Sequence, residues 1–487
     1  MTAHRHRSEP RRMQRGPYAL PAALFEGASM TGNLTPDALR EAIGSGEIDT
    51  VLVCFPDLQG RLMGKRVIGH YFVDHILDGG GAIEACNYLI ALDVDMTPLP
   101  GYEFANWEQG YGDFRCVPDL DTLRRIPWLE ATALVLCDLV DEETGAPVEE
   151  SPRQILRTQL KRAADMGFEI KIGAELEFFL FENTYRDAAA RKYTDLTPHS
   201  DVIEDYHILQ TTRDEYLIRQ IRNGIHNAAI PVEFSKGEAG KGQHEINLVY
   251  AEALEMADRL VIYKNGAKEI ASLNGRSLTF MAKYSMEEVG SSCHLHSSVW
   301  DATTGENLMW DADAEHHLSP VFRGWLGGIV STGQELAWMF AHYVNSYKRY
   351  QPDSWAPTAL AWGYDNRTCG YRLVGHGPAY RVESRIPGAD VNPYLAYAGL
   401  IAAGLHGVAN GIEPPPPFVG NAYDAPELDH VPSTLVEAID AFEASAVAKE
   451  AFGPAVHHHL LNTAKQEWAT FNRVVTDWER QRNFEQI

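Results

Sequence analysis

Two glutamates stand in an otherwise apolar run, GAELEFFLFE, at residues 173–182. In an extended strand side chains alternate faces, so Glu175 and Glu177 project to one side and Leu176 and Phe178 to the other. Neighbouring carboxylates on such a strand need water, a cation or a proton to compensate them. Three further stripes have the same character. In KGEAGKGQHEINLVY, residues 236–250, Glu238 and Glu245 bracket a glycine-rich turn that lets the backbone fold tightly. In GSSCHLHSSVW, residues 290–300, His294, His296 and Ser298 share a face, and in YRVESRIP, residues 380–387, Arg381, Glu383 and Arg385 do. Singly, each has an ordinary reading: a solvated sheet face, a hydrogen-bonded histidine, a tight hairpin, a cross-strand ion-pair ladder. Together, five glutamates on mainly apolar strands cannot all be buried without cations. Hard oxygen ligands with one imidazole suit magnesium or manganese better than zinc or copper.

The block from NSYKRYQPDSWAP to NRTCGYRLVGHG, residues 345–377, adds Arg349, Arg367 and Arg372. Arginine offers planar donor forks for carboxylates and phosphates and stays charged at any working pH. Divalent ions beside convergent arginines point to phosphoryl chemistry on a nucleoside triphosphate. The chain holds no GxxxxGK[ST] loop, so its nucleotide site must be of another kind.

The elements that position these groups are legible in outline. In NLTPDALREAIGSGEIDTVLVCFPD, Thr35 caps a helix with Pro36 at its first position and Gly44 near its end, and DTVLVCF reads as a buried strand. A second helix starts at Ser151–Pro152 and runs to Gly167. The acidic, turn-rich DEETGAPVEE before it marks a domain boundary near residue 146. Beyond it, long helical patterns such as YAEALEMADRLVIYKNGAKEIASLNG alternate with short strands, and residues 425–487 read as amphipathic helices.

At 487 residues the chain is too long for one ordinary core. Its 45% hydrophobic and 22% charged composition is globular, and a net charge of −25 makes nucleic acid and anionic membranes poor partners. Six scattered cysteines without a CxxC pair fit a reduced compartment and argue against a structural zinc site. No run approaches the roughly 20 apolar residues of a membrane span. In the first 29 residues a basic HRHRSEPRRMQRG precedes a short YALPAALF without a clean A-x-A site. This reads as a disordered arm over 1–34, or an upstream start ahead of Met30, on a cytoplasmic protein.

With these blocks assembled, the sequence resembles glutamine synthetase from about residue 35 to its end. The resemblance lies in GAELEFFLFE, GEAGKGQHE, FMAKY followed by GSSCHLHSS, NSYKR, NRTC with YRLVGHG, and RVESRIPGADVNPYLA. It implies an α+β fold: a β-grasp domain over 35–146 and a catalytic domain over 147–487, whose antiparallel sheet forms a funnel holding ATP and two to three Mg²⁺ or Mn²⁺ ions. It also implies a dodecamer of two stacked hexamers. One ion would be held by Glu177, Glu238 and Glu245, and another by Glu175, His294 and Glu383. Gly290, Arg349 and Arg385 would hold L-glutamate. Arg367, Arg372 and Arg381 would face the ATP phosphates and the transferred group, with Tyr250, His296 and Ser298 against the nucleotide. Tyr423, in GNAYDAP, falls where some bacterial members carry an adenylylated tyrosine; a loop tyrosine without regulatory role is the reading adopted.

Three positions depart from the ammonia-using pattern. Trp355 stands where those enzymes carry a flap glutamate. Ala85 or Cys86 stands where an aspartate helps bind ammonium, and Val289 replaces a loop asparagine. An aromatic at 355 in place of that glutamate would face an alkylammonium through a cation–π contact and widen the acceptor end of the funnel. The pattern is similar to the gamma-glutamylpolyamine and gamma-glutamylethanolamide synthetases, which join glutamate to a primary amine, with Glu238 as the candidate base. Ammonium-dependent glutamine synthesis and a non-catalytic glutamate- or ATP-binding homologue are the alternatives.

Overall fold

The computed structural model describes residues 31–351 and 354–487. The arm expected over residues 1–34 lies outside them up to position 30. Its last four residues are held in place, with the Gly32 amide on the Asp121 carbonyl at 2.7 Å and Leu34 buried.

The first helix, Pro36–Ser45, starts as expected, the Thr35 hydroxyl accepting from the Ala38 amide. Gly44 lies near its end as expected, and the helix stops at Gly46, which takes the left-handed conformation (φ 78°) that turns its amide onto the last carbonyls. The helix covers one face of a five-stranded sheet made of β1 (Thr50–Pro56), β2 (Leu62–Ile68), β3 (Ile83–Cys86), β4 (Asp113–Arg125) and β5 (Thr132–Asp141). The strand order is β2-β1-β5-β4-β3, with β1 and β5 parallel and the other pairs antiparallel. Val51, Val53 and Phe55 face the core under the helix, while Leu52 and Cys54 face the main body of the molecule. Burial on both faces is why DTVLVCF is apolar throughout.

The second sheet comprises β6 (Phe168–Phe181), β7 (Val232–Gly237), β8 (Gln243–Leu248), β9 (Ala251–Glu252), β10 (Ser277–Thr279), β11 (Cys293–Asp301), β12 (Trp362–Tyr364), β13 (Tyr371–Val374) and β14 (Arg381–Ser384). Its main order is β12-β13-β14-β11-β6-β8-β7, with β9 and β10 also paired to β6; only β12 and β13 run parallel. On β6, Ile170, Ile172, Ala174, Leu176, Phe178 and Leu180 are all at most 2% exposed. They belong to the core shared with the helices Pro152–Asp165, Ala253–Leu273 and Pro393–Asn410. The opposite face is left for Glu175 and Glu177. The start at Ser151 holds, although its hydroxyl makes no cap bond, and Pro152 alone marks the first turn. Helices Leu435–Ala444, Ala446–Phe471 and Asp477–Asn483 fill the C-terminal stretch, the second broken by Gly453 and Pro454. Together these make the α+β class expected. Among the described residues no helix is long and apolar enough to cross a membrane.

Candidate active site

Register brings the four stripes together. Glu177 lies opposite Glu245 on β8, Glu175 lies between Asn247 on β8 and His294 on β11, and Glu383 lies between His296 and Arg372. Side chains opposite each other on one face of a sheet are about 5 Å apart at Cβ, so these groups must meet.

They do. Glu175 takes His294 Nδ1 at 3.2 Å and His296 Nε2 at 2.9 Å on its two oxygens. Glu383, fully buried, lies 3.6 Å from His294 Nδ1, pairs with Arg372 at 2.9 Å and is closely engaged by Arg385. Glu177 accepts from the Ser292 amide at 2.7 Å and from Gln243 at 3.2 Å. Burial acts against ionisation throughout. It outweighs all else at Glu245, where the carboxylates of Glu175 and Glu177 add to it and push the group up to about 10. At Glu177 burial and Glu238 push the carboxyl up to about 7. At Glu175 burial is overcome by the hydrogen bonds of His294 and His296, which hold it well below the usual carboxylate range. At Glu383 burial is overcome by His294 and Arg385, which bring it down to about 2. Burial and Arg385 lower His294 to about 4, so its imidazole is neutral and fit to ligate.

Two groups offer ligand atoms within 4.8 Å of one another: Glu175, His294 and Glu383, and Glu177, Glu245 and His294. His294 Nε2 is buried without a hydrogen-bond partner among the described residues. His294 thus turns Nδ1 to Glu175 and Glu383 and keeps Nε2 free, a donor set that with the neighbouring carboxylates fits a divalent cation. The first group reproduces the set the sequence implied. In the second, Glu238 is absent, because its carboxylate is drawn to Lys236 Nζ in close contact.

The face opens into two cavities that share Glu175 and Asn247 as a wall. The larger, about 490 Å³, is lined by Glu177, Glu238, Glu245, Gly290, His294, Arg349, Trp355, Arg367, Arg372 and Arg385. The smaller, about 440 Å³, is lined by Tyr250, His296, Ser298 and Arg381, with Tyr250 stacked on Trp300. Each site residue read from the sequence therefore lines one of the cavities except Glu383, which lies buried beneath them. The three arginines expected around phosphate divide: Arg367 and Arg372 in the larger cavity, Arg381 in the smaller. Arg349 is 1% exposed, and its fork is occupied by Ser292 Oγ at 2.7 Å and the carbonyls of Ile386 and Arg385. Gly290 leaves room for it, since a Cβ there would sit 2.7 Å from Arg349 Cγ. Tyr423 is half-buried in a short turn, Ala422–Asp424, away from both cavities.

One corner of the larger cavity was not anticipated. Lys236 Nζ lies against Glu238, 3.5 Å from Asp205 Oδ1 and 4.4 Å from the centre of the Tyr206 ring. Phe234, Tyr206 and Trp355 expose 47%, 69% and 63% of their surfaces around it. Trp355 holds a left-handed backbone (φ 60°), rare for a bulky residue. Lys236 stands two residues before Glu238 in an extended segment, a spacing that places both on one side; Asp205 and Tyr206 come from a loop with no readable pattern.

Residues 149–483 match the model described as glutamine synthetase, catalytic domain. A gamma-glutamylethanolamide synthetase of Streptomyces coelicolor is 49% identical over 460 residues, covering 94% of this chain and 98% of that protein. A glutamate–isopropylamine ligase of a Pseudomonas species is 36% identical, with coverages of 91% and 96%. A solved GmaS–ADP complex superposes with a TM-score of 0.80 at 28% identity, covering 92% of this chain and 99% of that one. The family match covers more than half of the chain and the relatives match over nearly their full length, so the chain belongs to the glutamine synthetase family.

Proposed function

We propose that the protein is an ATP-dependent ligase that joins the side-chain carboxyl of L-glutamate to a primary amine through γ-glutamyl phosphate. The observation that carries the acceptor half is the Lys236 corner. A primary alkylammonium, the chain's own, is already held there by Glu238, Asp205 and the Tyr206 ring, with Phe234 and Trp355 beside it. The names of the two amine-ligating relatives support the same reading.

In this proposal ATP occupies the smaller cavity against Tyr250, His296 and Ser298, its terminal phosphate toward Glu175 and within reach of Arg367, Arg372 and Arg381. Glu175, His294 and Glu383 would hold one Mg²⁺ or Mn²⁺, and Glu177 and Glu245 would hold another, with Glu238 joining them if released from Lys236. Such ions neutralise phosphate charge and polarise the phosphoryl group. Arg385, whose Nε has no hydrogen-bond partner among the described residues, takes the substrate glutamate carboxylate. Arg349 shapes that wall and Gly290 keeps it open. The glutamate side chain attacks the terminal phosphate and ADP leaves, and the arginines offset the charge that develops. An amine of pKa about 10.4 is neutral about one time in 10³ at pH 7, so its deprotonation costs roughly 4–5 kcal/mol. Glu238 takes that proton. Before that transfer Trp355 covers the entering ammonium with a cation–π contribution of about 0.5–2 kcal/mol, and the neutral amine then displaces phosphate. We further assign residues 35–146 and 147–487 to two domains, the assembly to a dodecamer and the compartment to the cytoplasm.

Phosphate release with ATP, glutamate and a panel of ammonium, ethanolamine, isopropylamine, putrescine and spermine tests the proposal. Turnover with an alkylamine exceeding that with ammonium is expected, and Trp355→Glu shifts the preference toward ammonium. Preference for ammonium in the wild type would instead establish a glutamine synthetase.

A further inference from the structure

Behind the acidic row, on the other face of β8, lies a second group of ligands that the reaction does not use. His244 alternates with Glu245 and so points into the core, pairing with Phe178 where Glu245 pairs with Glu177. Its Nε2 is 2.9 Å from Asp214 Oδ2 and 3.5 Å from Glu204 Oε2. His199 Nε2 stands 3.4 Å from the other Asp214 oxygen. Glu204, Asp214 and His244 are each at most 1% exposed, and their ligand atoms lie within 4.8 Å of one another. Neither oxygen of the Glu204 carboxylate has a hydrogen-bond partner among the described residues. A buried carboxylate whose oxygens go unmet by donors is costly unless a cation or proton completes it.

From this we infer a second metal site, structural and separate from the catalytic ions, in which Glu204, Asp214 and His244 bind one divalent transition-metal ion. Ligand atoms about 2.1 Å from a common centre are about 3.0–3.4 Å apart in octahedral or tetrahedral coordination. The separations of 2.9 and 3.5 Å found here fall just either side of that spacing, close enough for small side-chain shifts to meet it. Two carboxylates and an imidazole accommodate zinc or manganese. The sequence argued against structural zinc on cysteine spacing, and this group contains no cysteine. His199 orients Asp214 from outside the set, the usual support for a ligating carboxylate. The ion would join β8 to the helix Ile208–Asn227 and to the loop bearing Glu204. The next two residues of that loop, Asp205 and Tyr206, form the wall of the proposed amine corner. Glu204 is thus a positioning residue for the acceptor. This role rests on the proposed function; the metal site itself does not.

The test is metal analysis of the purified full-length protein after dialysis against millimolar Mg²⁺, comparing wild type with Glu204→Gln and His244→Gln. Wild type should retain about one more equivalent of zinc or manganese per chain than either variant. An anomalous-diffraction peak at the wavelength of the bound metal should fall between Glu204 and His244. If the variants do not fold, the wild-type equivalent and its peak decide the matter alone. Wild type free of transition metal, or a folded Glu204→Gln with the same metal content and equal or higher thermal stability, overturns the site in favour of carboxylates sharing a proton. Loss of the equivalent with an unchanged amine KM would overturn the link to the acceptor while leaving the site. Absence of amine ligation with the metal present would count against the ligase reading alone.

Discussion

Loading the active site with a divalent ion should expel protons, and the number follows from the carboxyl groups on the acidic face. At pH 7 in metal-free protein, Glu245, raised to about 10, carries a full proton, and Glu177, raised to about 7, carries half of one. His294, lowered to about 4, Glu383, lowered to about 2, and Glu175, held lower still, have none to give. A cation requires its carboxylate ligands ionised, so binding releases about one and a half protons per chain at pH 7. The release should rise toward two near pH 6, where Glu177 is mostly protonated, and fall toward one near pH 8.5, where only Glu245 still contributes. Isothermal titration of Mg²⁺ or Mn²⁺ in buffers of differing ionisation enthalpy counts these protons directly. Glu245→Gln should remove about one of them. The same groups set the stability of the metal-free protein. Their folded values lie above the ordinary 4.5, so the folded state binds more protons than the unfolded one across the interval from about 4.5 to about 10. Their share of the stability therefore falls as pH rises through that interval, opposed below about 6.5 by His294, whose folded value is lowered to about 4, and added metal should restore most at the alkaline end. Release below about 0.3 protons at pH 7, or release unchanged by Glu245→Gln, would refute the reasoning.

Three further outcomes follow from the geometry. Gly290→Ala places a Cβ 2.7 Å from Arg349 Cγ and 2.8 Å from the Ala282 carbonyl, so thermal unfolding should show a loss of about 1–3 kcal/mol and phosphate release should collapse. Lys236→Met frees Glu238 and Asp205 for the acceptor. The amine KM should fall severalfold with the ATP KM unchanged, and a raised amine KM would show that Lys236 supports that corner and does not merely occupy it. Arg381→Ala removes the guanidinium that bonds His296 at 3.2 Å in the smaller cavity. It should raise the ATP KM about tenfold, a loss of roughly 1.4 kcal/mol, while the amine KM stays put.

How far the sequence could be read depended on whether a residue's surroundings were local. Glu175 and Glu177 were legible because a period of two set them against Leu176 and Phe178 within one strand, and His294 and His296 for the same reason. Their pairing was not, since it rests on β6 meeting β8 and β11 in one register out of several. Lys236 was passed over because a lysine beside a turn is ordinarily solvated; only the loop with Asp205 and Tyr206 makes it part of a site. His244 sat in plain view beside Glu245, but its partners arrive from a loop and a helix 30 or more residues away. The resemblance gives Arg349 a part in holding glutamate, and the chain beyond β14 brings two carbonyls that each take one of its donors, which no local pattern foretells.

The placement of these groups separates two tasks. The cation and phosphate half stands on strands whose apolar face is locked into the main core, so its carboxylates cannot retreat from one another. Much of their mutual repulsion is relieved by retained protons and by the arginines and histidines of neighbouring strands. The proposed acceptor half rests on the end of β7, the segment bearing Trp355 and the loop bearing Asp205 and Tyr206, which line one corner of the larger cavity. A change in those segments alters the shape of the corner without moving a ligand on β6, β8, β11 or β14. Sequence-similar proteins whose names differ in the amine, ethanolamide in one and isopropylamine in another, fit such a division. On this view the sheet fixes that a carboxylate is activated, and the loops beside it decide which amine receives it.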